Sequence, residues 1–313
     1  MTTELSPETR RAVNAARQRQ AAAAVPSLGR DDVEVTTVDG PVPIRLLRPR
    51  APGPLPVCIW LPGGGWILDS SAVAEPALHV VAAATPCAVA LVQYRLAPEH
   101  RFPVPLEDCV EAVRRLVERG SDLGLDTTRL AIGGTSAGAN LAAALAVLCR
   151  DDPDIDLVAQ ILVYPPLLHG AMATGGDATL GRAEVDWYWS LYLGSPDQGR
   201  DPRASPLLEA DLRGLPPALV IVTEDDPLRE EGEQYAGRLD DVGVATELVC
   251  FAGVEHGFFS SVSVQADDAR ARVAETLSRC WRAPSGGRAR AARRAPSGRP
   301  PSPHSGTCGS QGV

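Results

Sequence analysis

Gly134-Thr135-Ser136-Ala137-Gly138 follows directly on Arg129-Leu130-Ala131-Ile132-Gly133, a run that reads as a strand. It opens an alanine- and leucine-rich stretch predicted to be helical to about Cys149. A G-x-S-x-G pattern between a strand and a helix describes a sharp turn with serine at its apex. Such a turn crowds its own backbone, so glycine is needed on both flanks of the serine. The hydroxyl of Ser136 is then lifted above the sheet edge, and the amide of Ala137 lies at a helix N-terminus, where negative charge is favoured. The same five residues also arise by chance, and a serine that merely caps a helix looks alike. Context has to decide.

Three other segments supply that context. Leu61-Pro62-Gly63-Gly64-Gly65-Trp66 ends the apolar run Val57-Cys58-Ile59-Trp60. Successive glycines at a strand end let backbone N–H groups approach a ligand with no Cβ in the way, which suits an oxyanion hole. Thr223-Glu224-Asp225-Asp226-Pro227-Leu228 follows the strand-like Ala218–Val222, and Gly253-Val254-Glu255-His256-Gly257-Phe258 follows Thr246–Phe251. Serine, acid and histidine therefore occur in that chain order, each just beyond a strand. That is the order of α/β-hydrolases, not of the chymotrypsin or subtilisin groups.

With these motifs the chain resembles the hormone-sensitive-lipase-like family of α/β-hydrolases, bacterial esterases with an H-G-G-G oxyanion motif. Tyr94-Arg95-Leu96-Ala97-Pro98-Glu99-His100 with Phe102-Pro103 and Glu107-Asp108 is the most specific part of the likeness. Nothing in the general hydrolase mechanism demands that run. Tyr164-Pro165, Ser205-Pro206-Leu207 and Asp226-Pro227-Leu228-Arg229 through Tyr235-Ala236 match as well, so the likeness spans roughly residues 5 to 280. It implies an α/β fold with a mostly parallel eight-stranded sheet and a small helical cap. It also implies Ser136 as nucleophile, His256 as base, Asp226 as the acid orienting the base, and amides of Gly64, Gly65 and Ala137 as oxyanion donors. Asp226 equally fits the N-cap of a helix starting at Pro227, with Glu224 and Asp225 as rivals; the Asp-Pro-Leu match puts Asp226 first. Of the other histidines, His100 belongs to the Tyr94 segment, His79 and His169 have no motif, and His304 lies near the C-terminus.

The pattern is departed from at three places. Pro62 stands where the family has histidine, Thr135 where it has aspartate, and Ala139 where it has glycine. Proline at 62 removes one backbone donor and favours extended geometry at Leu61. The amides assigned to the oxyanion hole are untouched, so the hole survives and only a bracing side chain is lost.

Six short apolar runs (57–61, 88–93, 130–133, 160–163, 218–223 and 247–251) alternate with helical segments, the signature of a parallel sheet covered on both faces. Val33–Val38 and Ile44–Leu47 precede them as a pair joined at Asp39-Gly40, with Pro41 and Pro43 suggesting an edge position for the second. Ser6-Pro7-Glu8 starts a helix expected to reach about Ala24, and residues 1–30 are assigned to the cap. The core is expected over residues 31–282, with a cap insertion at about 167–205. That insertion carries Trp187, Tyr188, Trp189 and Tyr192. The resemblance makes this a helix laying rings over the site; a core helix packing its aromatics would read the same. Trp66, Trp187 and Tyr188 are the candidate substrate contacts. Residues 283–313, rich in Pro, Gly and Arg and free of acids, are predicted to be a disordered basic tail.

The 313 residues suit one large α/β domain, and a net charge of −9 speaks against nucleic acid as the main partner. All thirty cationic residues are arginine. Seven scattered cysteines without C-x-x-C spacing indicate free thiols in a reducing compartment. No signal-peptide pattern and no membrane-length apolar run occur, which makes cytoplasmic location the default. Neither a metal nor an organic cofactor is implied; the expected partner is a small acylated molecule, and a homodimer is compatible. Ester hydrolysis leads the readings. Deacetylation, acyl transfer, lactonisation or elimination on the same scaffold, and a non-enzymatic receptor, stay open.

Overall fold

The computed structural model describes residues 33–171 and 180–282, together with Ser6, Glu8, Thr9 and Ala12. Eight strands form one sheet: β1 (Val33–Val38), β2 (Ile44–Pro49), β3 (Leu55–Leu61), β4 (Ala88–Val92), β5 (Leu125–Thr135), β6 (Leu157–Val163), β7 (Ala218–Thr223) and β8 (Thr246–Phe251). Their spatial order is β1-β2-β4-β3-β5-β6-β7-β8, with antiparallel pairing only at β1–β2 and β2–β4. From β4 to β8 every neighbouring pair is parallel, so each connection must cross over the sheet.

Those crossovers are helices α1 (Ser71–Ala84), α2 (Val104–Arg119), α3 (Ala137–Cys149), α4 (Arg182–Tyr192) and α5 (Arg229–Asp241), and α6 (Val264–Arg282) follows β8. Strand side chains alternate between two cores. Val57, Ile59 and Leu61 of β3 join Leu106, Leu116, Leu141, Tyr235 and Leu239 beneath α2, α3 and α5. Cys58 and Trp60 face the other way, against Leu78 and Val81 of α1 and Val273 and Leu277 of α6. A strand whose odd and even residues both enter a core must be apolar throughout. All seven residues of β3 are buried, which explains why this run lacks polar alternation.

The eight strands fall where the sequence places them, and two details differ. β2 is not an edge: it pairs with β1 on one side and β4 on the other. Pro41 and Pro43 precede its ladder, in the 39–43 turn where no donor is needed, and the Pro43 carbonyl accepts the Gln93 amide at 3.0 Å. The helix expected from Pro227 begins at Arg229, two residues later. Near the N-terminus the Ser6 hydroxyl accepts the Thr9 amide at 3.2 Å, the contact expected of an N-cap. Most of the expected helix to Ala24, the N-terminal part of the cap and the 283–313 tail lie outside the described residues.

Candidate active site

Ser136 occupies φ 52°, ψ −124°, a conformation that side chains other than glycine rarely adopt. The turn holds because the chain is pinned on both sides of it. The Ser136 amide donates to the Val163 carbonyl at 2.8 Å, and the Ser136 carbonyl accepts from Ala139 and Asn140 as α3 begins. The flanking glycines are required by contact: a Cβ at Gly138 would fall 1.9 Å from the Leu61 carbonyl oxygen, and one at Gly134 would fall 2.5 Å from the Gly138 backbone. Helix α3 therefore starts directly against the end of β3.

Three strand ends bring the remaining groups to this point. His256 Nε2 lies 2.9 Å from Ser136 Oγ, and His256 Nδ1 lies 2.7 Å from Asp226 Oδ2. The second Asp226 oxygen accepts the Leu228 amide at 2.9 Å, so the carboxylate is fixed at both ends. Its side chain is fully buried, whereas Glu224 and Asp225 are exposed. Of the three acids, Asp226 is the one within hydrogen-bond distance of His256. The tight turn at Asp226 also serves the chain locally, since its carbonyl accepts the Arg229 amide at the start of α5.

The glycine loop lies on the other side of Ser136. Gly64 and Gly65 have φ 105° and 59°, and Trp66 follows at 62°. The Gly64 carbonyl turns inward to accept the Ile67 and Leu68 amides. Ser136, Ala137 and all three glycines border one cavity of about 510 Å³ that also includes His256. The rest of its wall mixes apolar side chains, among them Trp66, Leu68, Val73, Leu180, Val185 and Trp189, with the polar Ser70, Thr135, Glu184 and Ser260. Tyr188 packs so closely on the loop that a Cβ at Gly65 would lie 2.1 Å from its ring. Trp66 stacks on Tyr192, with ring centroids 4.3 Å apart, and also meets Trp189.

Of the three expected substrate contacts, Trp66 and Tyr188 border the cavity and Trp187 does not. Trp187 lies against Tyr188, with ring centroids 5.2 Å apart, and packs partly buried against the core. Trp189 takes the place expected of it. Tyr164 was not foreseen as part of the site; it has φ 41°, and its ring lies 4.5 Å from the His256 ring.

Behind the site, buried polar groups tie the segment leaving β6 to the core. Asn140 Nδ2, one turn along α3 from Ser136, donates to the Pro166 and Ala204 carbonyls at 2.8 Å each. Glu231 Oε2 accepts the Leu167 and Leu168 amides at 2.6 and 2.8 Å. Ser205 accepts the His169 amide and donates to the Gly199 carbonyl. Burial pushes the Glu231 carboxyl up to about 7, against the pull of its two amides. Between its ordinary value of 4.5 and about 7 the folded chain keeps a proton that the unfolded chain releases, so its contribution to stability falls as pH rises through that window. Glu231→Gln should therefore flatten the pH dependence of melting and raise stability at pH 8, by at most about 3 kcal/mol. Thermal melts of both proteins at pH 5 and pH 8 check this; an equal pH slope in the two would contradict it.

A family profile for the alpha/beta hydrolase fold matches residues 58–260. The chain belongs to the α/β-hydrolases. This α/β-hydrolase is 35% identical over 240 residues to the carboxylic ester hydrolase LipN of Mycobacterium tuberculosis, a match covering 73% of this chain and 64% of LipN. It is 33% identical to the ethyl acetate hydrolase of Pseudomonas putida, over 79% of this chain and 81% of that protein. Among solved structures, EstE1, a thermophilic carboxylesterase cloned from a metagenomic library, superposes with a TM-score of 0.83 at 32% identity, covering 88% of this chain and 98% of EstE1. No helix among the described residues is long and apolar enough to cross a membrane.

Proposed function

We propose that this α/β-hydrolase is a serine-dependent carboxylic-ester hydrolase acting on small acyl substrates. The observation that carries the reading is the unbroken line from Ser136 Oγ through both nitrogens of His256 to Asp226 Oδ2, opening into the 510 Å³ cavity. A receptor would need no such proton path. The relatives' ester chemistry supports the same reading.

In the proposed sequence Ser136 Oγ attacks the acyl carbon while His256 Nε2 takes the hydroxyl proton. Asp226 holds Nδ1 protonated and stabilises the imidazolium. The carbonyl oxygen, now negative, is received by amides of Gly64, Gly65 and Ala137, held in place before the substrate arrives. The carbon–oxygen bond to the alcohol then breaks, and His256 returns the proton to the departing oxygen. Water repeats the attack with His256 as base, releasing the acid and restoring Ser136. Trp66, Tyr188 and Trp189 line the space for the acyl or alcohol group.

We also read the excursion at about 167–205, which carries α4, as a cap insertion in a core of residues 31–282, and cytoplasmic location as the setting. The cavity sets the expected substrate size. p-Nitrophenyl acetate and butyrate should be hydrolysed at least about tenfold more efficiently than p-nitrophenyl palmitate, since the cavity takes a short ester whole and is overfilled by the long-chain ester with its alcohol. Comparing kcat/KM along an acyl series checks this. A maximum at long chains would overturn the small-acyl reading, and failure on every ester, with Ser136 still labelled by a fluorophosphonate, would point to another reaction on the same residues.

A further inference from the structure

Tyr94-Arg95-Leu96-Ala97 is conspicuous in the sequence, yet the Ser136–His256–Asp226 chemistry does not require it. The structure gives it a place. Tyr94 is buried, and its hydroxyl donates to the Pro62 carbonyl at 2.7 Å. Three residues on, the Ala97 amide donates to the Trp66 carbonyl at 3.0 Å. The glycine loop is thus gripped at both ends, Pro62 and Trp66, by one short segment lying behind it. Between those grips are the left-handed Gly64 and Gly65, whose amides are the proposed oxyanion donors.

Three successive glycines have little conformational preference of their own, so their orientation has to be imposed from outside. Proline at 62 has no N–H, which leaves its carbonyl as the one backbone polar group there that a brace can hold. Pro62 is also pressed close to the nucleophile helix: a Cβ at Gly138 would lie 2.6 Å from its carbonyl oxygen. A shift of that carbonyl moves the loop relative to Ser136 itself.

We infer that Tyr94 is a positioning residue for the oxyanion hole, its hydroxyl fixing Pro62 so that the Gly64 and Gly65 amides face the developing negative charge. This rests on the esterase reading above. Tyr94 touches no substrate; its effect passes through the loop. Its removal should be felt where charge develops on oxygen, in kcat, and not in ground-state binding.

The molecule contains a matched control. Tyr192 is equally buried in the same cluster, and its hydroxyl has no hydrogen-bond partner among the described residues. Tyr94→Phe and Tyr192→Phe delete the same atom from similar surroundings, but only the first breaks a hydrogen bond. On p-nitrophenyl butyrate, Tyr94→Phe should lower kcat about tenfold with KM within about twofold of wild type, the effect of one lost brace. Tyr192→Phe should match wild type. A trifluoromethyl ketone, which forms a tetrahedral oxyanion on Ser136, should bind Tyr94→Phe more weakly by the factor lost in kcat/KM.

Equal kinetics for the two variants would overturn the inference. So would a loss in Tyr94→Phe that appears in KM and melting temperature while affinity for the ketone is kept, since that is a general packing defect. If wild type fails to hydrolyse the ester, the esterase reading falls separately. The brace is then read from the rate at which a fluorophosphonate labels Ser136, a step that also builds charge in the hole: slower labelling of Tyr94→Phe alone supports it, and equal rates sink it.

Discussion

Ser136→Ala and His256→Ala should each lower kcat for a short p-nitrophenyl ester by on the order of 10⁶-fold, and the double variant should lose hardly more. The reason is geometric. With Oγ 2.9 Å from Nε2, bond formation by the serine and proton removal by the histidine are one event, and either half alone achieves nothing. What remains in all three variants is the binding cavity and the oxyanion amides, so their residual rates should agree. Independent residues would instead multiply, giving a double variant near the uncatalysed rate. Measuring all four proteins on one ester completes the cycle, and multiplicative losses would show that Ser136 and His256 do not work as a pair.

Asp226→Asn should cost about 10⁴-fold in kcat while leaving the fold intact. One carboxylate oxygen is committed to the Leu228 amide, and the other faces His256 Nδ1. In the asparagine variant the side-chain oxygen stays with Leu228, because an amide nitrogen there would oppose another N–H. The new NH₂ group then faces His256 and forces Nδ1 to act as acceptor. The imidazole proton moves to Nε2, the atom that must receive the serine proton, and the base is blocked. A melting temperature within a few degrees of wild type, with kcat down by the stated factor, is the expected result. A loss below tenfold would mean that Asp226 serves the Leu228 turn and not the histidine.

The sheet was legible because a two-sided parallel strand is buried at every position and so almost wholly apolar, as β3, β4 and β7 are. Ser136, Asp226 and His256 were legible as candidates because each lies just beyond a strand. Trp187, expected at the cavity, does not border it, because adjacent aromatics on one helix give no sign in the sequence of which one faces the cavity. Tyr164 sits at a strand end like the triad residues, but its contact with His256 is made across separate crossovers, which local sequence does not encode. Glu231 did leave a trace. It falls four residues before Tyr235 on the buried face of α5, alongside Gly232, Ala236 and Leu239. An acid on that face cannot be an ordinary solvated charge and must have donors waiting for it.

Asn140, Glu231 and Ser205 hold residues 166–169 and Gly199 and Ala204 against the core from positions outside the segment they enclose or at its very end. The excursion that carries α4 therefore begins and ends at fixed points, and its interior shares no covalent register with Ser136, Asp226 or His256. Length and sequence within it can drift while the reacting atoms stay where they are. Under the esterase proposal, substrate range and reactivity are in this sense inherited separately: the stretch of chain between two anchored ends supplies Leu180, Val185, Tyr188 and Trp189 to the cavity wall and can be rewritten by itself.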